Sequence, residues 1–411
     1  MDTYAGALQT YRYTVLEPAA PAPDPAAGLL SVFLTEQQVT DLTSVSAPFG
    51  AARTPPGWWF TDPAVHRFDA DSALGRMWLC VGHVSQFEAI GDYRTLDIGS
   101  LAVIVVRSGA EQFTALRNSC RHRGTRLLDG RGRIDSRIRC PYHAWSYTLD
   151  GELAAVPNPS GLTRPADDDL ALGRVALERW HGWLFVAVEP TTSLAEQLAD
   201  FPGLPCLAAS RLLEVAARDY QVACDWKLLI ENFNECYHCR WAHPELYERS
   251  RGVGYREYPH RGRVFTGGPM SLEPGVRSLA DPYSFIEPGL TGWQTADSRM
   301  VFYFCLFPNF LLTIAPDYVM THTVWPTVKG HSRVATHWFV TPEQRAHAAF
   351  TIDPAITFWD RTNHQDFALC ENAQRGVAAA GHRPGPYHDW ELCVHDFDRW
   401  YAERLLTLGS R

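Results

Sequence analysis

The sequence predicts an α+β protein, a small all-β domain followed by a larger region that mixes helices with hairpin-connected strands. Three observations predict it. Between Trp78 and about Glu189, short β-type runs such as 101–106 and 182–188 are separated by Gly, Asp and Ser turns. Further on, runs at 299–307, 317–325 and 332–340 recur at hairpin spacing. Helical texture falls elsewhere, chiefly at 225–240 and from Pro354 onward, and strands segregated from helices in this way mark an α+β fold.

Taken from the start, residues 1–30 are rich in Ala and Pro and read as an extended lead-in. Residues 31–75 carry short helical signals broken by Thr54-Pro-Pro-Gly57. Residues 190–211 read as a linker with some helix, and 249–298 as a Gly/Pro-rich stretch, either a lid or an ordinary surface loop. Gly376 is a natural C-cap for the first of the late helices. The chain has 411 residues, room for two or three domains, and a net charge of −9 without a basic block. That charge argues against nucleic acid or an anionic membrane surface as partner. With no basic leader and no apolar run long enough to span a bilayer, the expectation is a cytoplasmic protein. Ten scattered cysteines are expected to be free thiols and metal ligands, not disulfides.

Two stretches carry chemistry. The first is 231–244, Glu-Asn-Phe-Asn-Glu-Cys-Tyr-His-Cys-Arg-Trp-Ala-His-Pro, preceded by a helix-forming run with Asp225 as N-cap. On a helix running to about Arg240, Glu231, Glu235 and His238 share one face. Pro244 disfavours the α conformation at His243, so a turn there can swing His243 back toward His238. Two imidazoles with an acid behind them suit a borderline divalent metal such as iron or zinc. A third ligand is offered by 358–370, where Trp359, Asp366 and Cys370 fall on one stripe that continues to Ala373. A carboxylate on so apolar a face is costly unless it is paired or bound to metal. Asp360, Glu371 and His364 lie off the stripe and are expected at the surface.

The second stretch holds Cys120-x-His122, then seventeen residues, then Cys140-x-x-His143. Two cysteines and two histidines can build a structural zinc site, or a [2Fe–2S] cluster with two His on one iron, the Rieske arrangement. A common zinc finger gives both cysteines first and both histidines later. Here each loop gives one of each, with Gly124 and Pro141 shaping the tips, which favours the cluster.

These motifs together resemble the α subunits of Rieske non-heme iron ring-hydroxylating oxygenases, over about 58–405. Cys120, His122, Cys140 and His143 match that family's cluster ligands. Glu235, His238 and His243 match its acid-x-x-His-x4-His motif, and Asp366 its distal carboxylate ligand. The runs 365–376 and 384–387 look most like the branch of glycine betaine demethylases and quaternary-amine oxygenases. Asp225, Glu231 and the 306–312 run differ from patterns common in the family.

The resemblance implies an all-β Rieske [2Fe–2S] domain over 76–190 and a catalytic mononuclear iron domain over 191–411. In the latter an antiparallel sheet is covered by helices, with the 31–75 segment packing on it. It also implies a mononuclear Fe(II), electrons from NAD(P)H through a separate ferredoxin or flavin reductase, and O2 and a small molecule as substrates. A head-to-tail homotrimer follows, in which Glu235 bridges a Rieske histidine of one subunit to an iron-ligating histidine of the next. The expected reaction is oxidative N-demethylation of a betaine-like quaternary amine, through candidate pocket residues Glu231, Phe304, Tyr318, Trp325 and Trp359. Aromatics on the late strands suit a cation–π cage or a neutral ring. The alternatives are a Rieske hydroxylase of an aromatic or natural-product substrate, and a Rieske electron-transfer protein with a non-catalytic second site.

Overall fold

The computed structural model describes residues 34–409 apart from 70–73, 75, 162–168, 205, 208–210, 251–259, 282–283, 291 and 293–298. The expected lead-in at 1–30 and much of the 249–298 stretch lie outside the described residues. The chain divides into two compact units, one from Asp69 to Leu194 and the other from the residues on either side of it.

The first unit is all β: β1 (Leu79–His83), β2 (Asp92–Ile98), β3 (Leu101–Arg107), β4 (Phe113–Arg117), β5 (Arg131–Arg133), β6 (Ile138–Arg139), β7 (Ser146–Tyr147), β8 (Leu153–Ala155), β9 (Arg174–Trp180) and β10 (Trp183–Ala187). Seven form an antiparallel sheet in the order β1-β10-β9-β4-β3-β2-β5, and β6-β7-β8 form a small one. Apolar runs explain the central strands, with Val103 to Val106 of β3 and all of β10 buried. Ile104, Val106, Leu116, Ile138 and Tyr147 build a core that also takes in Cys120 and Cys140, so the two cysteine loops are anchored on a packed base.

The second unit holds β11 (Leu213–Val222), β12 (His260–Arg261), β13 (Phe265–Ser271), β14 (Met300–Leu306), β15 (Phe310–Ile314), β16 (Val319–Pro326) and β17 (Ser332–Val340). From β12 to β17 the sheet is an antiparallel meander, with β11 added beyond β17. Sequence periodicity finds β14, β16 and β17 and misses the others. In β13, Gly267-Gly268-Pro269 reads as a loop, yet the sheet needs the glycine. A Cβ at Gly267 would stand 2.0 Å from the Tyr303 carbonyl oxygen.

Helices of this unit include α1 (Glu36–Val45), α2 (Gly57–Thr61), α3 (Pro63–Phe68), α4 (Trp226–Phe233), α5 (Cys239–Ala242), α6 (Pro244–Arg249), α7 (Pro342–Ala346), α8 (Asp353–Val377) and α9 (Leu392–Gly409). The helix expected to reach Arg240 stops at Phe233. Asn234 caps it, and 235–238 form a turn before α5. Gly376 lies inside α8, whose C-cap is Ala378. Among the described residues no helix is long and apolar enough to cross a membrane.

The free-thiol expectation is corrected at one place, a disulfide joining Cys236 to Cys239. The break after Phe233 turns the chain so that these two Cα atoms lie 4.9 Å apart, within disulfide reach. Cys80, Cys120, Cys140, Cys206, Cys224, Cys305, Cys370 and Cys393 are buried and stand outside any disulfide.

Candidate metal centres

The two cysteine loops of the β unit are built alike. In the first, Cys120 N donates to Thr125 O at 2.9 Å and Gly124 N to Cys120 O at 2.9 Å. In the second, Cys140 N donates to Trp145 O at 2.8 Å and Ala144 N to Cys140 O at 3.1 Å. The residue four after each cysteine takes positive φ, 71° at Gly124 and 58° at Ala144. That left-handed turn costs little for glycine and is imposed on alanine by the loop. Asn118 braces the first loop from beneath, its Oδ1 accepting from Leu127 N and Leu128 N at 3.0 Å each.

The paired loops bring the rings of His122 and His143 to 4.7 Å, with His122 stacked on Trp145 and His143 on Tyr142. His143 Nδ1 is buried without a hydrogen-bond partner, as a ring nitrogen reserved for metal would be. Burial opposes the Cys140 thiolate, but the N–H groups of Tyr142 and His143, with Cys120 and Thr125, hold its pKa below the usual thiol range. Tyr147 Oη lies 3.3 Å from Cys120 Sγ. Two thiol(ate)s and two imidazoles on facing loops, with one nitrogen left open, fit a [2Fe–2S] cluster of the Rieske kind.

In the second unit, His238 closes the turn after α4, His243 sits between α5 and α6, and Asp366 lies on α8. Their candidate ligand atoms all fall within 4.8 Å of one another. Asp366 Oδ1 is 2.8 Å from His243 Nε2 and 3.2 Å from His238 Nε2. His243 is non-helical, at φ −128° and ψ 71°, which is the effect of Pro244.

Each imidazole presents Nε2 inward because Nδ1 is occupied. His243 Nδ1–H donates to Gln365 Oε1 at 2.7 Å, and His238 Nδ1–H to the Glu235 carboxylate, which also accepts from Tyr237 N and His238 N. Burial disfavours charge on His238, yet Asp366 and Glu235 outweigh it and lift its pKa to about 10. Asp366 is itself pulled down to about 2 against burial, by its bonds to His238 and His243. The cluster favours positive charge at the point the three share, and two imidazoles with one carboxylate fit a divalent iron.

Sequence reasoning missed Gln365, which no pattern singles out beyond its place beside Asp366. Replacing it with Leu should leave His243 Nδ1 without an acceptor and weaken iron binding about 10–100-fold. Iron retained after dialysis against a ferrous chelator measures this, and Gln365→Glu should restore it.

The structure does not bring all the pocket candidates together. Tyr318 and Trp359 bond each other, Trp359 Nε1 donating to Tyr318 Oη at 2.6 Å, in the same apolar cluster as Tyr303. Phe304 alternates with Tyr303 and so faces the other side of the sheet, against Phe201 and Phe265. Trp325 alternates with Val324 and likewise points away from the face that carries His322. Two residues expected at the surface make contacts: Tyr220 Oη donates to Asp360 Oδ1 at 2.7 Å, and Ala223 N to Glu371 Oε1 at 3.0 Å.

Glu231 turns away from the histidines because the helix ends before Glu235. It is buried against Asp398, which accepts from Tyr387 Oη at 2.7 Å. Burial, reinforced by the facing charge of Asp398, raises Glu231 well above the carboxylate range. Burial also carries Asp398 from 3.8 to about 7, with Glu391 adding to it and Tyr387, Glu231 and Lys227 opposing. A raised folded-state pKa means the native protein binds more protons than the unfolded chain. Stability is then present at low pH and lost as pH climbs from about 4 through about 7. In Glu231→Gln the fall in melting temperature between pH 5 and 8 should flatten, read by calorimetry.

Comparison with known proteins agrees with both centres. Residues 77–166 match the Rieske [2Fe-2S] domain model, and 209–407 the model for the catalytic domain of the ring hydroxylating alpha subunit. The glycine betaine monooxygenase oxygenase subunit of Chromohalobacter salexigens is 30% identical over 388 residues, 86% of each chain. The quaternary ammonium Rieske monooxygenase CntA superposes with a TM-score of 0.71 at 21% identity, over 89% of this chain and 98% of that one. Naphthalene 1,2-dioxygenase from a Rhodococcus species does so at 0.73 and 20%, over 91% and 98%, so these two speak to fold alone. A sequence likeness that runs through both units, with matched ranges that include the cysteine–histidine loops and the two-histidine, one-carboxylate cluster of this chain, leaves one conclusion. The chain belongs to the alpha subunits of Rieske-type ring-hydroxylating oxygenases, enzymes that work with a Rieske [2Fe–2S] cluster and a mononuclear iron.

Proposed function

We propose that this terminal oxygenase removes a methyl group from a betaine-like quaternary amine. The observation that carries the reading is the 30% identity to a glycine betaine monooxygenase subunit over 86% of the chain. The site's aromatic wall supports it. Phe233 and Trp359 meet Tyr303 at centroid distances of 6.3 and 6.4 Å, a surface suited to a quaternary ammonium through cation–π attraction.

Cys120, His122, Cys140 and His143 are the proposed cluster ligands, and His238, His243 and Asp366 the proposed ligands of the mononuclear iron. Iron bound there supplies the activation of O2 for oxidation of a C–H bond, with electrons relayed from a separate reductase. The chain's own part is to hold both Nε2 atoms inward through Gln365 and Glu235, and to keep the substrate's methyl beside them. Each methyl consumes one O2, two electrons and, net, one proton. One oxygen leaves in formaldehyde, the other in water, and the tertiary amine is released.

A homotrimer with Glu235 as bridge between subunits completes the reading. Exposed aromatics beside both centres, Tyr142 in one unit and Tyr237 and Trp241 in the other, support such contacts. An electron supply from NAD(P)H favours a cytoplasmic location.

With a surrogate reductase, trimethylammonium substrates should release formaldehyde in step with O2 uptake. Turnover of aromatic acids instead would establish the hydroxylase reading. About two irons per chain instead of about three would establish the electron carrier.

A further inference from the structure

Glu245 stands in the first turn of α6, directly behind the Pro244 that breaks the helix at His243. Its carboxylate faces α8, where Arg361 and Gln365 lie four residues apart and share one face. The two oxygens divide between them. Oε1 is 3.7 Å from Arg361 Nη1, and Oε2 accepts from Gln365 Nε2 at 3.4 Å. Arg361 Nη1 also meets Asp281 Oδ2 at 2.8 Å. Asp281 pairs in turn with Arg249, whose Nη1 donates to Glu245 O at 2.8 Å. These bonds hold the Glu245 carboxylate beside the amide of Gln365.

A primary amide has an acceptor oxygen and a donor NH2 of similar size, and it can sit either way round. Glu245 decides between the two. A carboxylate accepts and does not donate, so it draws the NH2 of Gln365 toward itself. The reversed amide would set two acceptor oxygens against each other. With the NH2 taken, Oε1 is the end that faces His243 Nδ1, 2.7 Å away. An oxygen there can only accept, so the imidazole proton belongs on Nδ1 and Nε2 is left bare. Nε2 is the nitrogen that points at Asp366 Oδ1, 2.8 Å away, and a metal takes only a bare nitrogen. His238 is arranged differently. Its Nδ1 meets the Glu235 carboxylate directly, and no further group is needed to place the proton. His243 has an amide in that position, and an amide fixes a proton only if something fixes the amide.

We propose that Glu245 is a positioning residue that sets the tautomer of His243 through Gln365, so that a side chain outside the ligand cluster decides whether the second imidazole can bind iron. The assignment rests on the reading of His243 as an iron ligand.

The test uses the intact protein with its Rieske cluster in place and Fe(II) alone as probe. The readout is mononuclear iron retained after dialysis against a ferrous chelator. Glu245→Lys puts a donor where the acceptor stood. It should turn the amide round, present its NH2 to His243 Nδ1 and leave the proton on Nε2, with iron affinity at least about tenfold lower. Adding Gln365→Glu should bring affinity back close to wild type, because a carboxylate there accepts from the imidazole whichever way it lies. Glu245→Gln can offer its own oxygen to Gln365 and should also stay close to wild type. An effect of charge alone would place Glu245→Gln midway between wild type and Glu245→Lys on a logarithmic scale, and that result overturns the proposal. So does wild-type affinity in Glu245→Lys, or a double variant as weak as Glu245→Lys. Unchanged Rieske absorption and melting temperature confirm folding in each. His243→Ala, run alongside, tests the ligand reading separately. Mononuclear iron retained there would sink that reading. Iron lost there but held normally by Glu245→Lys would sink the tautomer proposal alone.

Discussion

Asp366→Ala should leave a protein that keeps its Rieske absorption, holds about two irons per chain instead of about three, and turns over at less than roughly a thousandth of the wild-type rate. The geometry explains why this one change reaches so far. Among the described residues Asp366 is the one carboxylate of the ligand cluster, and its Oδ1 stands within 3.2 Å of both inward-facing nitrogens. Without it two neutral imidazoles remain, too weak a donor set to hold a hard divalent ion against water. The Rieske loops belong to the other compact unit, so their absorption reports on folding independently of the damage. Asp366→Asn keeps the volume and one oxygen but not the charge, and should lose iron nearly as completely. Normal turnover in either variant would show that Asp366 is not a ligand.

Much of the site was legible in the sequence wherever its parts are local. Cys120-x-His122 and Cys140-x-x-His143 each sit in one loop, so spacing exposes them as a candidate ligand set. Asp366 was legible because a helix repeats, and a carboxylate on the stripe of Trp359 and Cys370 is costly without a partner. His243 was legible because Pro244 forbids the helix there.

What failed was the assumption that one helix carries Glu231, Glu235 and His238 together. Asn234 ends α4 one residue early enough to send Glu231 into the interior against Asp398 while Glu235 turns to His238. Helix length in that stretch is decided by the tertiary contacts of its end, which periodicity does not encode. The same limit hid Gln365, which is marked out by a bond to a histidine 122 positions away. Neighbours across the sheet such as Thr313, Met320 and Trp338 were hidden for a related reason, since they meet only through strand register.

Glu235→Gln should keep both metal centres filled yet lower steady-state turnover by more than about 100-fold. The carboxylate has two separable duties. Its oxygens accept from Tyr237 N, His238 N and His238 Nδ1, which shapes the turn and fixes the imidazole so that Nε2 faces Asp366. A glutamine oxygen can take over the bond to His238 Nδ1, so ligand geometry and iron content should survive. Its negative charge is what glutamine cannot replace. That charge stabilises positive charge on His238 and, in the proposed trimer, joins the iron-ligating imidazole to a cluster ligand of the neighbouring subunit. The measurement that separates the two duties is a single turnover of protein reduced in advance. In wild type the Rieske absorption should return to the oxidised form as product appears. In Glu235→Gln it should stay reduced after O2 and substrate are added, with iron content and melting temperature close to wild type. Loss of iron together with a lowered melting temperature would mean that the carboxylate only shapes the turn. Rapid reoxidation coupled to product would mean that electrons reach the iron without it.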